Sequence, residues 1–84
     1  MEAWMLTLCD QIGKIAGEAK LAHYQMAILP QILADFYKML SSQPDNRVVR
    51  EQYRMDDGTM EIELSGTKKS DGEVRILEAG ARRL

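Results

Sequence analysis

From Met5 to Leu40, apolar side chains return at alternating three- and four-residue steps: Met5, Leu8, Ile12, Ile15, Ala19, Ala22, Met26, Leu29, Leu33, Phe36 and Leu40. That spacing is an a/d heptad seam and predicts a helical segment over residues 1–42, starting near Glu2 or Ala3. Pro30 falls inside it, where a proline removes one backbone hydrogen bond and crowds the carbonyl four residues back. Two arrangements satisfy this: a helix that kinks at Pro30, or a helix over 3–28 followed by a second one opened by the proline. The stretch AILPQIL holds no Gly, Asn, Asp or Ser with which to build a reversal, and the seam keeps its register from Met26 and Leu29 to Leu33 and Phe36. The reading is therefore one long helix kinked at Pro30.

Ser41-Ser42-Gln43-Pro44-Asp45-Asn46 ends the helix, and the hydrophobic period then drops to two. Met60, Ile62 and Leu64 alternate with Glu61, Glu63 and Ser65, while Val49, Tyr53 and Met55 share one face of the preceding run. Asp56-Asp57-Gly58 and Ser70-Asp71-Gly72 are tight-hairpin signals. Val74 and Ile76 face inward after the second of them. Three antiparallel strands are predicted over 47–55, 59–67 and 73–79, with Gly80 closing the sheet and 81–84 a frayed tail. The fold class is α+β, a single small domain with a helical interaction segment and a β-meander over 47–79.

An uninterrupted helix of this length runs roughly 55–60 Å, whereas a compact domain of 84 residues is about 30 Å across. The sheet then covers only part of the seam. A second copy of the chain, or another protein, is expected to cover the rest through Met5, Leu8, Ile12, Ile15, Ala19, Ala22, Met26, Leu29, Leu33 and Phe36. Gly13, Ala16, Gly17, Ala19 and Ala22 make a stretch of small residues where a facing helix backbone can come close.

Composition narrows the chemistry. Cys9 and His23 are the only cysteine and histidine, so no disulfide staple within the chain and no Cys/His metal cluster is expected. On one helix they stand about 21 Å apart, too far to act as a nucleophile–base pair. Glu61 and Glu63 share a strand face in the pattern of a solvated surface. Asp56-Asp57-Gly58-Thr59 lacks the alternating acids and distal glutamate of a calcium loop. No phosphate-binding glycine motif is present, and no catalytic residue, cofactor or metal is expected. Arg47, Arg50 and Arg54, extended by Lys68, Lys69, Arg82 and Arg83, could contact phosphate, but the net charge of −2 and nearby acids neutralise much of that strip. No run approaches the 18 apolar residues of a membrane span. Glu2 stands where a signal peptide would carry a basic residue, so a cytoplasmic location is expected. The function expected from sequence is a non-enzymatic interaction module, an adaptor, subunit chaperone or inhibitor that homodimerises or binds a partner. The alternative is a dimeric nucleic-acid-binding regulator using Arg47, Arg50 and Arg54.

Overall fold

The computed structural model describes all 84 residues. Two helical stretches precede a three-stranded antiparallel sheet, an α+β arrangement. Helix α1 spans Ala3–Ala16, with Glu2 at its N-cap. The chain then passes through Gly17 alone and becomes helical again over 24 residues. This long helix comprises α2 (Glu18–His23), a π-helical turn (Tyr24–Ile28) and α3 (Leu29–Ser41). Strands β1 (Val48–Arg54), β2 (Met60–Lys68) and β3 (Val74–Arg83) follow in the spatial order β1-β2-β3.

The sequence predicts one rod; the chain instead breaks at Gly17. Its backbone, at φ 91° and ψ 162°, occupies a region that L side chains essentially do not enter. Gly17 N–H closes α1 on the Gly13 carbonyl at 2.9 Å, and its own carbonyl accepts the first bond of α2 from Leu21 at 2.9 Å. A single residue thus serves as the end of one helix and the cap of the next. Two shorter rods fit over one sheet, and the molecule measures 39 × 25 × 18 Å. The overhang that called for an external cover is gone.

Pro30 does not end the long helix. The turn just before it is widened, with the Leu29 N–H donating to the Tyr24 carbonyl five residues back. Widening there accommodates the proline ring and its missing donor while the chain stays helical. It also rotates the side chains. The buried residues of the long helix are Tyr24, Leu29, Ile32, Phe36 and Leu40, a spacing of five across the π turn and of three or four after it.

Both helices lie on one face of the sheet, α1 chiefly over β3 and α3 over β2. Leu8 and Ile12 from α1 meet Phe36 and Leu40 from α3 over Met60, Ile62 and Leu64, all of them fully buried. Gly66, on the same face of β2, lets α3 approach: a Cβ there would stand 2.9 Å from Leu40 Cδ1 and 3.0 Å from Phe36 Cε2. A bulge opposite it leaves Leu77 unpaired, because Ser65 pairs with Glu78 while Gly66 pairs with Ile76. Both hairpin turns close as their sequences indicate. Gly58 (φ 70°) and Gly72 (φ 87°) take the left-handed position, and Asp57 and Asp71 accept bonds from the backbone N–H two residues on. Strand β3 does not stop at Gly80. Ala81, Arg82 and Arg83 pair with Ile62, Glu61 and Met60, and Leu84 N–H reaches the Thr59 carbonyl, so the expected tail is ordered strand.

Glycine substitutions separate the two roles of small residues near the corner. Gly17→Ala should destabilise the protein by about 1–3 kcal/mol in denaturant titration, because alanine is strained at that φ and ψ. Gly13→Ala, whose Cβ would stand 3.5 Å from Leu21, should be neutral or stabilise by up to about 1 kcal/mol. Equal effects would mean that the break at Gly17 does not set the fold.

Candidate functional site

The break and the widened turn redistribute the ten residues that the sequence offers as an interface. Leu8, Ile12, Leu29 and Phe36 are buried in the protein's own core, so no partner can reach them. Met5, Ile15 and Leu33 are half-buried against that core. Ala19, Ala22 and Met26 are exposed, Met26 at 83%, and no helix of this chain packs on them. The heptad face is therefore mostly core. The seam misleads only between the break at Gly17 and the end of the π turn, where Ala19, Ala22 and Met26 are turned out; Leu8 and Ile12 before the break, and Leu29 and Phe36 after the turn, keep the face it assigns.

Candidate chemistry is likewise dispersed. Cys9 is buried, and its sulfur accepts a bond from Gln25 Nε2 at 3.4 Å. His23 is exposed and edge-on to Tyr24, with ring centroids 6.4 Å apart. Glu61 is buried on the outer sheet face and is held by Arg82 at 2.8 Å and Arg54 at 3.9 Å. Glu63 beside it pairs with Arg50 at 3.7 Å and accepts a bond from Gln52 at 3.1 Å. Both carboxylates are thus tied into ion pairs across the sheet. No three His, Cys, Asp or Glu residues are placed to share a metal ion. Arg50 and Arg54 lie on the outer face of β1, in a lattice of alternating sign, and Arg47 precedes the strand.

The largest concavity lies elsewhere, between β1 and the long helix. It is an open groove of about 790 Å³. Tyr24, Ile28 and Ile32 line it from the helix, and Tyr53 and Met55 from the strand side. Lys20, His23, Gln31, Asp35, Arg54, Asp56 and Asp57 contribute its polar groups. A second hollow of about 440 Å³ shares Lys20, Tyr24 and Asp57 with it and leads toward Ile15 and Arg83. Burial raises the pKa of the Tyr24 phenol, with Asp57 adding to the shift, and burial likewise raises that of Tyr53, beside Glu51 and Asp35. Both phenols stay neutral through physiological pH, as groove-lining hydrogen-bonding groups. Asp57 moves the other way: bonds from the Thr59 N–H at 3.1 Å and hydroxyl at 2.8 Å hold its carboxyl below the usual carboxylate range. A depressed carboxyl supports the turn above its ordinary value and loses that contribution only as pH falls below it.

The two edges of the sheet are treated differently. On β3, the outward N–H of Ala81 donates to Gln11 Oε1 of α1 at 2.7 Å. On β1, Met55 N–H donates to Met60 O, so the odd-numbered residues bond to β2. By antiparallel alternation, the N–H and C=O groups of Val48, Arg50, Gln52 and Arg54 then point to the free edge. No other backbone group takes up those N–H groups. None of this was legible from the strand pattern, which reveals faces but not which strand becomes an edge or whether a helix guards it.

Amide exchange should report this asymmetry. Arg50, Gln52 and Arg54 are expected to exchange fast and Glu51 and Tyr53 slowly, while Ala81 is slow until Gln11→Ala removes its acceptor. Uniform protection along β1 would show that its edge is covered. No family model, curated protein or solved structure matches the chain, so any function is argued from this geometry.

Proposed function

We propose that this chain is a small non-enzymatic protein-interaction module that captures a segment of a partner in the groove between β1 and the long helix. The observation that carries it is an apolar-floored groove walled on one side by a strand whose outer backbone edge is unpaired. A strand edge facing a helix is a recurrent way to hold an extended peptide. The scattered placement of Cys9, His23, Glu61 and Glu63 supports a role without catalysis. Adaptor, subunit chaperone and inhibitor all fit such capture. No helix of the chain is long and apolar enough to cross a membrane, and a lone buried thiol suits a reducing, cytoplasmic setting.

The reading moves the interface off the heptad seam. Of the ten seam residues, only Ala19 lines the groove. Nucleic-acid binding gains no support, because Arg50, Arg54 and Arg82 alternate with Glu61 and Glu63 on a sheet face without an aromatic side chain for base stacking.

Panning random dodecapeptides on the immobilised protein tests the proposal. Enriched peptides should lose at least tenfold in affinity to Gln31→Trp, which fills the groove from an exposed position, and keep it with Glu78→Ala on the far face. Failure to enrich any peptide, or indifference to Gln31→Trp, sinks the proposal.

A further inference from the structure

We infer that the segment captured in this groove is an extended strand with alternating acidic and apolar residues, which adds antiparallel to β1 as a fourth strand of the sheet. This rests on the peptide-capture reading above and specifies the partner. The ladder parity fixes which side chains go where. The free N–H and C=O groups belong to Val48, Arg50, Gln52 and Arg54, whose side chains lie on the outer face, away from the helices. An incoming residue that bonds to Arg50 or Arg54 therefore also places its side chain on the outer face, beside a guanidinium. Those two side chains are 64% and 69% exposed, with only long contacts of 3.7 and 3.9 Å to Glu63 and Glu61. They retain donors for a further carboxylate. The alternate residues of the incoming strand turn toward Tyr53, Ile28 and Ile32, which favour apolar side chains.

A second copy of the chain is the obvious competing occupant, since two β1 edges could pair around a two-fold axis. Edge parity allows only even residues to bond to even ones, so just three antiparallel registers overlap five or more residues of β1. Centred on Glu51, the pairing sets Glu51 against its own copy. Centred on Gln52, it sets Arg50 against Arg54 twice over, and centred on Arg50 it sets Arg50 against itself. Like charges directly opposite across a ladder are destabilising. Glu51 opposes the full-overlap register and the arginines oppose the other two, and the same arginines attract an acidic strand, a charge arrangement that selects a heterologous partner.

The test uses the unaltered protein and synthetic octapeptides, with affinity read by calorimetry and contacts by amide chemical shifts. The alternating peptide (Glu-Val)4 should bind at least tenfold more tightly than (Lys-Val)4, shifting the amides of Arg50, Gln52 and Arg54. N-methylation at the glutamates, whose N–H groups face β1, should weaken binding at least tenfold, whereas N-methylation at the valines should not. Equal affinity of the two N-methylated forms would overturn strand addition, as would equal affinity of the acidic and basic peptides overturn the charge rule. Either result leaves groove capture standing if panned peptides still respond to Gln31→Trp. A sedimentation mass of twice 9.5 kDa with slow exchange at Arg50, Gln52 and Arg54 would assign the edge to a second copy and overturn the proposal.

Discussion

One backbone conformation governs the rest of the molecule. At Gly17 the chain leaves helical space for a single residue, and without that departure the first forty-odd residues would form a rod longer than the sheet can cover. With it, α1 and the long helix lie on the same sheet face, and the apolar residues of both converge on Met60, Ile62 and Leu64. The constraint is steric: only a residue without Cβ adopts φ 91° with ψ 162° at little cost. The corner holds its direction because Gly17 donates to the helix behind it and accepts from the helix ahead.

The sheet was legible in the sequence almost residue by residue, because period-two alternation and Asp-Gly turns each have a local physical cause. Met60, Ile62 and Leu64 face inward as their pattern demands, and Gly58 and Gly72 take up positive φ. The helices were less legible. A glycine inside a helical pattern signals tolerance, close packing or a break with the same letter, and nothing near Gly17 distinguishes the three. The proline drew attention to position 30, but its effect is felt one turn earlier, in the five-residue step from Tyr24 to Leu29. At the distal end, Ala81, Arg82 and Arg83 lack a strand signature by composition and are strand because Ile62, Glu61 and Met60 pair with them.

The groove was invisible for a different reason. It is assembled from Tyr24, Ile28 and Ile32 on one element and Tyr53 and Met55 on another, and each of these reads as core in one dimension. Only the tertiary arrangement leaves a gap between them. The same holds for the edges. The sequence shows that β1 carries Arg50 and Arg54 in alternation with Val49, Glu51 and Tyr53, but that β3 has Gln11 against its backbone and β1 has nothing comparable is a property of where α1 lands. The short α1 made by the break at Gly17 lies over β3, and β1 is left open.

The widened turn before Pro30 binds two features of the chain into one unit of change. Deleting a residue between Tyr24 and Leu29 would restore a four-residue step but leave a proline in a regular helix, its ring pressed on a carbonyl that lacks a donor. Replacing Pro30 alone would remove the reason for the widening yet keep the five-residue step that brings both Tyr24 and Leu29 into the core. Each change by itself creates a mismatch that the other relieves, so their effects are non-additive. The proline and the extra residue therefore act as one unit, and a chain changed at both should fold with a regular helix that either change alone would strain.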